Sequence, residues 1–161
     1  VREIQVALDS DRQGAAATRN RAVEASTSEW VAFLDDDDEF LPQHIDRLVG
    51  HQRETGADLV YPWFEVVAGF DPLGREGRPF DAEALRRNNY IPVTVLVRRE
   101  LVLAGGGFQN RSDGLGGATW EDWNMWLALL DLGATFSHLP ERTWRWHFGD
   151  TQHTHGRSDR W

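Results

Sequence analysis

The run "WVAFL" at residues 30–34 is followed at once by four aspartates, Asp35 to Asp38. A continuous apolar run of this kind is what a strand buried on both faces presents. Four adjacent carboxylates repel one another, and no lysine or arginine lies within six positions on either side. The charge therefore falls at the carboxyl end of a strand, where ligands settle in open α/β sheets. A solvated acidic loop is the commoner fate of such a run. A cation site is the sharper reading, since hard divalent ions such as Mg²⁺ and Mn²⁺ take one or two carboxylates together with phosphate oxygens.

Two other acidic patterns are tested by counting. A calcium-binding EF-hand loop starting at Asp35 needs glycine at its sixth position and glutamate at its twelfth, and these hold Phe40 and Asp46. A phosphoaspartate hydrolase pattern would use Asp35 and Asp37, but Glu39 stands where a small β-branched residue belongs.

Elsewhere strands alternate with helices. "EIQVALD" (3–9) reads as a strand and the alanine-rich 13–26 as a helix. Pro42 opens a helix that Gly56 closes, and 57–67 is β-rich with Pro62 at an edge or bend. Residues 69–80 form a loop, and 81–89 a short helix capped by Asp81. A strand at 93–97 leads into a helix at 99–104, then the glycine-rich 105–119. A helix at 121–133, with Trp123 and Trp126 on its core face, precedes two strands, "ATFSHL" and "RTWRWHF". The alternation predicts an α/β domain. A length of 161 residues suits one domain and is short for two.

The net charge of −9 excludes a general nucleic-acid binder, whose phosphate contacts need a basic surface. There is no cysteine, hence no disulfide and no thiolate metal site. No stretch approaches the ~20 apolar residues of a membrane span, and we expect a cytoplasmic protein. The chain opens on a strand without an initiator methionine, as a fragment would.

The stretch from 14 to 49 resembles the donor-binding half of a family 2 glycosyltransferase with the GT-A fold. Gly14, the Arg19–Asn20 pair, Leu34, Asp35, Asp37, Asp38 and then Pro42 carry the likeness. "VTVLVRRELVLAGGGFQ" (93–109) resembles the strand, helix and Gly-Gly-Phe turn before the acceptor site, and "WEDWNMWLALLDLG" (120–133) the Glu-Asp helix that supplies the catalytic base. The resemblance implies a single GT-A-like domain, a Rossmann-related mixed sheet flanked by helices. Residues 1–56 would form the donor and metal half, 57–148 the acceptor half, and 149–161 a polar tail. The family's first strand and helix are missing upstream of Val1, which leaves open a catalytically inactive or incomplete domain. A metal-dependent nucleotidyltransferase or phosphohydrolase is a third reading, without a use for the Glu-Asp helix.

The resemblance further implies transfer of sugar from a nucleoside-diphosphate donor to an acceptor hydroxyl, with inversion and with Mn²⁺ or Mg²⁺ bound. Asp122 would be the general base, with Glu121 orienting the acceptor or capping the helix. Asp37 would be the metal ligand, joined by His147. Asp35 would touch the ribose or the metal shell, with Asp36 beside it. Gly14, Arg19, Asn20 and, loosely, Asp9 would belong to the nucleotide side. Trp120 is placed to stack on a sugar ring. "RTWRW" holds an Arg-Trp pair without the glutamine of the processive synthases, so single-sugar transfer is expected.

Overall fold

The structure is a computed structural model that describes residues 7, 13–67, 77–110 and 120–147. The expected strand at 3–9, Asp9, most of the 105–119 segment and the 149–161 tail lie outside the described residues.

Helix α1 (Ala15–Ala25) starts behind Gly14, whose φ of 87° favours glycine. Strand β1 (Trp30–Ala32) leads through the acidic run into β2 (Glu39–Phe40) and α2 (His44–Thr55). Gly56, at φ 69°, closes α2 by donating its N–H to Gln52 O. Strand β3 (Leu59–Val67), α3 (Ala82–Arg87), β4 (Leu96–Arg98), α4 (Arg99–Ala104), α5 (Glu121–Asp131) and β5 (Phe136–His147) follow. Asp81 caps α3, its Oδ1 accepting the Ala84 N–H at 2.9 Å.

The five strands form one mixed sheet in the order β1-β4-β3-β5-β2. The β3–β5 pair is parallel and the other three are antiparallel. Successive strand residues point to opposite faces, and the core divides accordingly. Leu59 and Tyr61 face a large cluster with Val23 of α1, Leu85 of α3, Val102 of α4 and Trp126 and Leu129 of α5. Val60 and Leu96 face a smaller cluster with Leu48 of α2.

Two expectations need correction. The run 30–34 yields a strand of only three residues, none fully buried, and Leu34 is 42 % exposed. Among the described residues β1 pairs with β4 alone. Pro62 sits where β3 was expected to bend: β4 pairs only with Leu59 and Val60, and the β5 pairing slips from Tyr61 opposite His138 to Trp63 opposite Arg142. Pro140 falls in the same slip, where no ladder bond is needed from it. The two strands expected around 134–148 are therefore one, β5.

The two-residue β2 was not expected. It docks on the far end of β5, Phe40 opposite Trp144. Phe40 also stacks on buried His44 at 3.9 Å, and His44 Nδ1 lies 2.8 Å from Thr143 Oγ1. Burial pushes the His44 imidazole down to about 4, so the ring is neutral near pH 7. These contacts anchor the exit of the acidic run.

Candidate active site

The acidic run folds as a tight turn, Asp38 N–H donating to Asp35 O at 3.1 Å. Asp36 and Asp37 are exposed; Asp35 and Asp38 are half-buried. The β2–β5 pairing brings the end of β5 alongside, and His147 N–H donates to Asp38 Oδ1 at 3.0 Å. Burial pushes the Asp38 carboxyl up to about 7, and Asp37, Asp35 and Asp36 push the same way against the opposing His147 N–H.

Asp35 is held from the other side. Arg19, on α1, donates through Nη2 to Asp35 Oδ1 and through Nη1 to Glu121 Oε1, each at 2.5 Å. Its guanidinium is a rigid fork, and each prong takes a different carboxylate. Arg19 thus joins the acidic run, 16 positions further along the chain, to the first turn of α5, 102 positions further along. Only 11 % of its side chain is exposed.

The neighbouring Asn20 is taken up by the Gly-Gly-Phe turn. Its Nδ2 donates to Phe108 O at 2.9 Å, and its Oδ1 accepts Phe108 N–H at 2.8 Å. Gly107 has φ 73°, and a Cβ there would come within 2.6 Å of Asn20 Oδ1. The turn needs glycine on both counts. Helix α1 therefore uses two consecutive side chains to gather three loops.

Asp122 follows Glu121 in the first turn of α5. Trp123 N–H donates to its Oδ1 at 2.7 Å, and Asn89 Nδ2 to its Oδ2 at 3.1 Å. Burial pushes the Asp122 carboxyl up to about 6, with Glu121 adding to the rise; the two N–H donors and Arg19 oppose it. A carboxylate that titrates just below neutrality is suited to accept a proton. Glu121 serves as partner to Arg19, and the N-cap of α5 is Trp120, which makes no side-chain cap bond and is 37 % exposed. Trp126 is wholly buried in the large cluster, and Trp123 packs against it.

Asn89 was missed by sequence reasoning. It sits in "RRNNY" after α3 with no motif around it, and only the folded chain brings it to Asp122.

The run offers hard carboxylate oxygens beside His147, a donor chemistry that fits a divalent cation. Among the described residues no three Asp, Glu or His side chains are arranged to hold a metal ion. Further oxygens would have to come from a phosphate-bearing ligand, as is usual for Mg²⁺. Among the same residues no helix is long and apolar enough to cross a membrane.

Comparisons with known proteins bear on the family and the fold. The family described as Glycosyl transferase family 2 matches residues 2–113. The amylovoran biosynthesis glycosyltransferase AmsE of Erwinia amylovora is 25 % identical over 130 residues, covering 76 % of this chain and 46 % of AmsE. TuaG of Bacillus subtilis, assigned by its name to teichuronic acid biosynthesis, is 26 % identical over 143 residues, covering 82 % of this chain and 52 % of TuaG. The chain thus spans about half the length of the curated relatives it matches. Among solved structures, residues 1–349 of S. aureus TarS in complex with UDP-GlcNAc superpose with a TM-score of 0.68 at 17 % identity, covering 90 % of this chain and 42 % of that one. TarS 1–349 alone gives 0.65 at 20 % identity, covering 86 % and 41 %. These likenesses show the GT-A fold.

Proposed function

Because the chain belongs to glycosyl transferase family 2, we propose that it carries the centre that moves one sugar from a nucleoside-diphosphate donor to an acceptor hydroxyl, with inversion. The observation that carries this reading is the Arg19 fork, which draws the acidic run and the Glu-Asp helix into one site. Donor-side and acceptor-side machinery must meet at the reacting carbon, and no packing requirement demands that two acidic segments share one cation.

In this reading Asp122 takes the proton of the acceptor hydroxyl. The freed oxygen pair attacks the anomeric carbon from the face opposite the diphosphate. The carbon–oxygen bond to the diphosphate breaks, and the nucleoside diphosphate leaves with that electron pair. A base that activates the acceptor directly leaves no need for a second nucleophile, which is why inversion follows. Glu121, held by Arg19, flanks the acceptor side, and half-exposed Trp120 offers an indole face to a sugar ring. The Arg-Trp pair without its glutamine supports transfer of single sugars.

Asp37 and His147 would hold a divalent cation, with Asp35 and Asp36 at its rim. Bound there, such an ion neutralises charge developing on the leaving diphosphate. Asp37 is exposed and bears none of the hydrogen bonds that hold the turn, so its carboxylate is free to serve a ligand at little cost to the fold.

Calorimetric titration of the full-length protein with UDP, with and without Mn²⁺, tests this. The affinity for UDP is expected to rise at least ~10-fold with Mn²⁺, and Asp37→Ala is expected to abolish the gain while leaving Tm within ~2 °C. UDP is the first probe because TarS was crystallised with UDP-GlcNAc. Binding indifferent to Mn²⁺ would remove the cation from the reading.

A further inference from the structure

Residues 85–91 and α5 lie side by side, joined by three hydrogen bonds. Trp123 Nε1 donates to Leu85 O at 2.7 Å, and Trp126 Nε1 to Ile91 O at 3.1 Å. Between them, Asn89 Nδ2 donates to Asp122 Oδ2 at 3.1 Å. An indole N–H can only donate, and here both meet backbone carbonyls that cannot move without moving the chain. The two tryptophans therefore set the register in which Asn89 meets Asp122.

The amide of Asn89 is oriented just as tightly. Ile91 N–H donates to Asn89 Oδ1 at 3.2 Å. A backbone N–H cannot accept, so the amide oxygen must face Ile91 and the NH₂ must face Asp122. Asn89 is 4 % exposed, so turning the amide would leave two buried groups unpaired. With Trp123 N–H on Oδ1, both carboxylate oxygens of Asp122 are anchored by donors, and each keeps a second lone pair.

We propose that Asn89 is a positioning residue for sugar transfer: it fixes the Asp122 carboxylate in one orientation and presents only a donor to Oδ2. The inference rests on the reading of Asp122 as the base. The proton of the acceptor hydroxyl then enters a lone pair that neither donor occupies, and Asn89 favours the ionised form that must be present before the proton arrives. The other groups facing Asp122 are Glu121 on α5, which disfavours ionisation, and Arg19 on α1, which favours it. Arg86 of α3 is paired with Asp131 at the opposite end of α5.

The test uses Asn89→Ala and the isosteric Asn89→Asp in the full-length protein, with two readouts. The first is titration of the Asp122 carboxyl by ¹³C NMR. Loss of the donor in Asn89→Ala is expected to raise its pKa by about one pH unit. Asn89→Asp is expected to raise it further, since two carboxyl groups would then share the contact. The second is the acidic limb of kcat/KM against pH, which is expected to move upward with the carboxyl in both variants, activity recovering as pH is raised. A residue that only packs would lower Tm and leave limb and titration where they were, and that result overturns the proposal. Should Asn89→Ala fail to fold, Asn89→Asp carries the same comparison. Turnover retained by Asp122→Asn would sink the assignment of Asp122 itself, whereas an unmoved carboxyl in folded Asn89 variants sinks only the role of Asn89.

Discussion

Asp122→Asn is expected to lower kcat about 10³-fold, within the range a positioned general base contributes, and one of its two N–H donors would then face the new NH₂. The asparagine keeps the shape of the carboxyl group, and its oxygen still accepts from Asn89 or from the Trp123 N–H. What it lacks is the basic lone pair. The pH dependence follows from the sign of the shift. The folded carboxyl is pushed up to about 6 from its ordinary 3.8, so the base form is depleted as pH falls through about 6. Wild-type kcat/KM is therefore expected to drop about tenfold per pH unit below that point, and the limb is expected to vanish in Asp122→Asn. Stability runs the other way. The raised pKa means that the ionised carboxyl burdens the folded state above about 6, and that the burden fades as pH falls toward 3.8. A neutral amide removes it at pH 7. Steady-state kinetics between pH 5 and 8, with thermal melts at each pH, measure both. A limb that persists in Asp122→Asn would assign it to another group.

Arg19→Met is the second large effect. It keeps an unbranched stem of similar length and removes the charge, together with the guanidinium that sits 5.7 Å from the centroid of the Phe108 ring. Asp35 and Glu121 would then face each other with no cation between them. Loss of two charge-assisted hydrogen bonds from a largely buried guanidinium is expected to cost about 2 kcal/mol, a fall in Tm on the order of 6 °C. Activity is expected to fall by at least ~10²-fold, since the two halves of the site would no longer be held in register. Arg19→Lys is expected to recover little of either, because a single ammonium cannot reproduce a fork that reaches two carboxylates at 2.5 Å. Melting curves and donor-turnover assays on the two variants decide it. Full activity in Arg19→Met would demote the fork to a surface contact.

The features readable from sequence act over a few residues. Gly56 closing α2 and Asp81 capping α3 each satisfy backbone groups within one helical turn, so neighbouring residues suffice to recognise them. Asp35, Glu121 and Asp122 were singled out as sequence segments, and the fold unites them. What escaped notice depends on partners far along the chain. Asn89 has its role only because Asp122, 33 positions later, lies against it. Arg19 was expected on the nucleotide side; its prongs on Asp35 and Glu121 join segments 86 positions apart and had no local sign. Strand β2 is two residues long and carries no periodicity to detect. Pro140 reads as a break, yet the slip of pairing opposite Pro62 lets β5 continue past it.

The parallel pairing of β3 with β5 has a consequence for how the molecule is made. Asp58 and Thr135, hydrogen-bonded at the start of that ladder, are 77 positions apart, so a long excursion of chain must close before the ladder returns any free energy. Contacts of such high order slow refolding, while the stop signal of α2 lies within its own local sequence. Arg19–Glu121 spans 102 positions and Asn89–Asp122 spans 33. A nascent chain emerging from the ribosome would therefore hold its helices early and gain its chemistry only once β5 has been made.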